Sequence, residues 1–130
     1  MKIVATVARY LLGLAFLLFG SNAFLNFIPV DPKQMPTGPA GDFSHLMNSS
    51  HWMQVVAALM VISAVLLLIN RFVPLALTML GPILVNILLF HILFHAAGIA
   101  IGLVLSLFWV LMLTRVWPSF SAILKPTPQS

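Results

Sequence analysis

The side chains with most scope for chemistry are the four histidines. His91 and His95 stand at i and i+4, so on one helix both would project from one face. Imidazole ligates metals and exchanges protons near neutral pH. Such a pair could hold one metal from one side, although no HExxH motif and no neighbouring carboxylate accompany it. A haem needs axial ligands from opposite sides, so His45 or His51 would have to reach across. The same residues fit a plainer role, as amphipathic aromatic side chains at a membrane interface, favoured near a helix C-terminus by the dipole. That role outweighs a metal, haem or quinone site.

Asparagines supply the other polar groups inside apolar surroundings. Asn22 and Asn26, again at i and i+4, could hydrogen-bond toward His91 and His95, or Asn26 could simply cap a helix before Pro29. Asn86 lies five positions before His91, or about 140° around a helix, so the two meet different neighbours. Its expected role is a structural hydrogen bond, to another helix or to a backbone group freed by Pro82, which leaves the carbonyl of Thr78 without its usual donor. A ligand contact is the sharper alternative.

Much chemistry is excluded. The sequence has no cysteine, which removes disulfides, thiolate nucleophiles, Cys-ligated zinc, iron–sulfur clusters and CxxC-type thiol oxidation. Only Asp31 and Asp42 are acidic, and neither falls in an apolar run. Nor does the chain carry ligands for a flavin.

The elements that must position these groups are set by hydropathy. Apolar residues are 62% of the 130 and charged residues 6%, against about 25% charged in a soluble domain. Lipid, not water, accommodates such a chain. The formal charge of +4 sits at the edges of apolar runs, so the cations read as topology signals and lipid headgroup contacts rather than a nucleic-acid surface.

Four apolar runs approach the roughly 20 residues that a bilayer core requires: about Tyr10 to Ile28, Trp52 to Ile69, Val73 to Phe94 and Ile99 to Trp117. Pro29 and Pro118 stand just past two of them, Pro74 at the first turn of the third, and Gly98 where it could cap the third. The connections at Asn70–Val73 and His95–Gly98 are short, so consecutive helices are antiparallel neighbours. The expected fold is all-α: a single domain, residues 1–130, forming a transmembrane antiparallel four-helix bundle. Lys2 and Arg9 ahead of an apolar stretch, with Ser21-Asn22-Ala23 beyond, also resemble a cleavable signal. Apolarity continues through Phe24, Leu25, Phe27 and Ile28, which favours retention.

With four spans, Lys2, Arg9, Arg71, Arg115 and Lys125 share one side and Lys33 falls on the other, which places both termini in the cytoplasm. The long loop, about Pro29 to His51, then faces outward. Its first half is rich in proline and glycine. Asp42 could cap a short interfacial helix with Phe43, Leu46 and Met47 on one face. Asn48, Ser49 and Ser50 offer caps before Trp52; they also form a glycosylation sequon, a motif common by chance. Gly98, Gly102 and Ser106 make a small-residue stripe that invites close approach, expected here from the first helix, where Gly13 and Gly20 lie seven apart. The tail after Pro118 is expected to be partly disordered.

The third run reads Gly81-Pro82-Ile83-Leu84-Val85-Asn86-Ile87-Leu88-Leu89-Phe90-His91. It resembles the Pro-Ile-x-Val-Asn-Ile-x-x-Phe-His stretch of the DoxX family. Phe19-Gly20-Ser21-Asn22-Ala23-Phe24 and Gly38-Pro39-Ala40 are similar to that family's other features, although many members have a Lys where Ala23 stands. The resemblance spans about Arg9 to Trp117. It implies a four-helix bundle in a bacterial inner membrane. It also implies a link to the membrane subunit of a thiosulfate:quinone oxidoreductase, after which the family is named. No catalytic residue carries over.

Two functions compete: an accessory or redox-associated subunit of a quinone-linked electron-transfer complex, and a non-catalytic structural or assembly subunit. In either, the partner is a larger membrane complex or a further copy of the chain, and quinone or a metal is the cofactor to consider. A small transporter ranks third, because no charged residue lies mid-membrane.

Overall fold

The computed structural model describes residues 2–29, 33 and 35–128. Every element among them is helical: α1 (Lys2–Leu25), α2 (Gly38–Ser49), α3 (Trp52–Leu68), α4 (Val73–Leu93), α5 (Ile99–Arg115), α6 (Trp117–Phe120) and a closing 3-10 turn (Ser121–Leu124). At 1.5 Å per residue, α1 is about 36 Å long and α4 about 32 Å, while α3 and α5 reach about 25 Å. The first two are long and apolar enough to cross a membrane. The count rises to four if α2 with α3, and α5 with α6 and the 3-10 turn, each form one bent span; those bends are 77° and 84°.

The four long helices touch in a ring, α1 to α3, α3 to α4, α4 to α5 and α5 back to α1. Phe16 and Leu12 of α1, Leu67 of α3, and Leu77 and Leu80 of α4 are completely enclosed, and Met112 and Leu105 of α5 complete the core. The outside is equally apolar. Leu14, Leu18, Ile62, Val85, Leu103 and Leu107 are all exposed. A soluble protein seldom exposes so continuous an apolar surface, whereas hydrocarbon tolerates it, and the chain reads as a membrane protein.

In lipid, helix association rests on close packing and interhelical hydrogen bonds rather than on water exclusion. Both are present. Gly13 and Gly20 bring α1 onto α3, since a Cβ on Gly20 would lie 3.1 Å from the carbonyl oxygen of Ala57 and one on Gly13 3.4 Å from that of Ala64. Arg9 of α1 donates through Nη1 to the carbonyl of Leu67 at 2.6 Å and of Leu68 at 3.3 Å, in the last turn of α3. Its guanidinium lies over the Tyr10 ring, 4.5 Å from the centroid. Between α4 and α5, Trp109 Nε1 donates to the carbonyl of Leu77 at 2.9 Å.

Several sequence expectations need correction. α1 begins at Lys2, not near Tyr10, because Arg9 is accommodated by the carbonyls of α3 and no longer marks an edge. It ends at Leu25 rather than Ile28, where Asn26 turns left-handed. α2 starts after Thr37, with Pro39 in its first turn, so Asp42 lies inside the helix and does not cap it. His51, left-handed with φ 62°, precedes α3 in place of a side-chain cap from Asn48 or Ser49. Ser50 Oγ does accept the Trp52 N–H, at 3.3 Å. α1 packs against α5, but the two glycines of the stripe meet α4 instead: Gly102 faces Leu88 and Ile87, and Gly98 faces the His91 ring. The tail is helical through Leu124, with Phe120 edge-on to Trp109 at 6.2 Å and stacked on Trp117 at 6.2 Å. Aromatic packing supplies the order that its Ser/Pro composition conceals.

Candidate functional site

The C-terminal end of α4 carries the two histidines, and its local folding decides what they can do. α4 stops at Leu93 and Phe94 caps it; the N–H groups of both Phe94 and His95 return to the Phe90 carbonyl. His95 is therefore outside the helix, and the expectation of two imidazoles on one helical face fails at the helix end. Instead His91 Nδ1 bonds the backbone carbonyl of His95 at 2.9 Å. A carbonyl only accepts, so Nδ1 carries the hydrogen. The ring sits against Gly98, where a Cβ would come within 3.1 Å of Cε1. Gly98 has φ 86°, so both its missing side chain and its left-handed backbone are needed to turn the chain under this imidazole into α5. Phe90 lies edge-on to His91 at 5.3 Å. His91 thus braces the α4–α5 turn.

The remaining histidines stand apart from it. His45 is exposed on α2 and His51 is exposed at the start of α3. Among the described residues, no group of three or more His, Asp or Glu side chains could hold a metal ion. α2 is held to the end of α4 by rings instead: Phe43 stacks on Phe94 at 5.6 Å and lies 5.7 Å from Phe90. The expected α2 face is thereby divided, with Phe43 against α4 while Leu46 stays exposed.

Asn22 and Asn26 do not reach toward the histidines by any hydrogen bond. Asn22 Oδ1 accepts the N–H of Ile28 at 2.8 Å, and the Asn26 N–H returns to the Asn22 carbonyl at 2.8 Å. With Asn26 at φ 50°, the pair closes the end of α1, the capping role expected for Asn26 alone.

Asn86 makes neither of the structural bonds expected for it. Its Nδ2 donates to the Pro82 carbonyl one turn back at 2.9 Å, not to another helix and not to the Thr78 carbonyl. The side chain is exposed, on the outer surface of α4. Thr78 and Pro82, eight and four positions earlier, are exposed on the same stripe, and Thr78 Oγ1 likewise turns back to the Pro74 carbonyl at 2.8 Å.

A hollow of about 730 Å³ opens beside the α4–α5 turn, lined by Lys33, Met35, Pro36, Thr37, His95 and Gly98 among others. It is a wide, shallow mouth that His91 and Asn86 do not line. Two residues of consequence carried no site signal in the sequence, Arg9 and Trp109. The available clue for Trp109 was physical: an indole N–H inside an apolar helix needs an acceptor, and Gly81-Pro82 lie on the helix alongside, where a Cβ on Gly81 would come within 3.4 Å of the Trp109 ring. No protein-family model, curated protein or solved structure matches this chain.

Proposed function

We propose that this chain is an accessory, non-catalytic subunit of a larger membrane assembly, crossing the bilayer four times with both termini on the cytoplasmic side. The observation that carries the reading is Asn86. A carboxamide has two N–H donors and an oxygen with two acceptor sites, and among the described residues it forms one bond, to Pro82. The residue is exposed in the second half of a 21-residue apolar helix. Hydrocarbon offers no partner to the remaining groups, so a polar side chain there is expected to meet another polypeptide. The helix ring supports the four-span arrangement, and the Lys/Arg distribution supports its direction. The resemblance to DoxX supports a bacterial inner-membrane setting and a quinone-linked electron-transfer complex as the assembly, with the partner bringing the redox centre.

Purification from native membranes in mild detergent should recover a stoichiometric larger protein, and Asn86→Leu should release it while the subunit stays folded. Recovery of the wild type as a monomer, or as copies of itself alone, would refute the reading, as would undiminished partner recovery with Asn86→Leu. A second reading, in which the chain itself contributes to a quinone site, is favoured by the hollow beside His95 and Thr37. Quinone binding to the purified chain that His95→Ala weakens would support it; binding unaffected by that change would dismiss it.

A further inference from the structure

At the end of the molecule opposite α2, the start of α1, the turn between α3 and α4 and the last turn of α5 border a second, half-open hollow of about 280 Å³. That is near the lower limit, roughly 300 Å³, of small-ligand pockets. Its polar lining is Lys2 and Thr6 and Arg9 of α1, Asn70 of the turn, and Arg115 of α5. Three of the chain's six Lys and Arg residues therefore converge on one cavity. Asp42, the one acidic residue among those described, is on α2, which packs against the far end of α4. Among the described residues no ion pair engages Lys2, Arg9 or Arg115.

The cations are not equivalent. Arg9 is half-buried and fixed by its Nη1 bonds to the last turn of α3 and by the Tyr10 ring, so its guanidinium is pre-positioned, with further N–H donors beyond those Nη1 uses. Lys2 and Arg115 are exposed at the opening, on long unbranched side chains. Asn70, held left-handed at φ 56°, and Thr6 add uncharged hydrogen-bonding groups at the rim. About a quarter turn around α1 from the lining residues, Ile3 and Tyr10 are exposed, the start of an apolar strip on the flank of the helix.

We propose that this hollow binds a phosphate-bearing anion, and that its source is the headgroup of an anionic glycerophospholipid. Fixed and exposed cations together suit a phosphodiester, with the guanidinium offering more than one donor to its oxygens. The adjoining apolar strip gives the acyl chains a path that a free phosphate would not need, and the helix ends place the cations where headgroups lie. The site depends on the membrane reading but not on the α4 face or on any partner protein.

The test is native mass spectrometry of the full-length chain in detergent with phosphatidylglycerol and phosphatidylcholine of identical acyl chains in competition. The wild type should retain phosphatidylglycerol preferentially. Near-surface cations are each worth about fivefold in binding, so Lys2→Gln with Arg115→Gln should lower that preference by roughly 30-fold. Circular dichroism checks the fold; should the double variant lose its helical signal, Lys2→Gln alone should show about a fivefold loss. Equal retention of the two lipids by the wild type overturns the proposal, as does an unchanged preference in a folded variant. So does an equal loss with Lys125→Gln, a cation outside the hollow. Inorganic phosphate that stabilises the protein against heat as well as phosphatidylglycerol does would overturn the lipid assignment.

Discussion

Gly20→Ala tests the close approach of α1 and α3 directly. A Cβ built on Gly20 would lie 2.8 Å from Val61 Cγ2, 3.1 Å from the Ala57 carbonyl oxygen and 3.3 Å from Met60 Cβ. Val61 Cγ2 can rotate away, but the carbonyl and the Met60 Cβ are fixed to the α3 backbone, so relief requires the helices to part. Overpacking of this kind costs about 1–3 kcal/mol, and alanine's better helix propensity returns up to about 1 kcal/mol. The net loss expected is about 1–2 kcal/mol, near tenfold in the unfolding equilibrium. Two glycines calibrate it. At Gly13 the tightest contacts are with the Leu68 side chain at 2.9 Å, which can turn aside, and the nearest backbone atom is at 3.4 Å. At Gly81 the nearest atom is on the Trp109 ring at an ordinary 3.4 Å. Reversible unfolding in mixed micelles, followed by far-ultraviolet circular dichroism, should rank the alanine variants Gly20 worst, Gly13 intermediate and Gly81 at or above wild type. A Gly20→Ala protein as stable as the wild type would refute the packing argument.

Trp109→Phe loses the bond to the Leu77 carbonyl and the part of the indole that faces Gly81, so the same assay should show a loss of at least about 0.6 kcal/mol; no change would mean that the indole N–H contributes nothing. Arg9→Met removes the bonds to Leu67 and Leu68 that tie α1 to α3, and should cost about 1–2 kcal/mol, while Arg115→Met should be nearly silent in stability. Equal effects would show that Arg9 acts only through its charge. Ser63 is wholly enclosed and its hydroxyl has no partner among the described residues, so Ser63→Ala should be neutral or stabilising by up to about 1 kcal/mol. A clear loss of stability in this variant would reveal a hydrogen bond to a water or another group.

The apolar runs were legible because the signals that end them are local. Pro74 stands in the first turn of α4, and α4 and α5 begin where hydropathy places them; Gly98 is left-handed, but it leads into α5 rather than capping α4, which Phe94 closes. The candidate histidine site was not legible, because the i, i+4 rule holds only while the helix lasts. α4 ends between His91 and His95, and the residue that meets the imidazole is a backbone carbonyl with no sequence signature. Gly98 and Gly102 of the stripe do meet close neighbours, but spacing along one helix cannot say which helix arrives. Arg9 looked like the edge of a span because a cation near lipid usually is one. Its partner is 58 residues away at Leu67, beyond the reach of any local pattern. Asn86 was rightly singled out as polar in an apolar helix, but its outward placement depends on how the ring closes.

The connection between α3 and α4 is only residues 69–72, with Asn70 and Phe72 both left-handed and the Arg71 N–H folded back to the Leu66 carbonyl at 3.0 Å. So tight a link bears on biogenesis. A chain emerging from an insertion channel could not commit α3 to the bilayer and then wait, because the linker has no slack in which α4 could linger outside. The two helices would leave the channel as a preassembled hairpin. α3, about 25 Å long and the shorter of the pair, would have a packed companion from the moment it meets lipid.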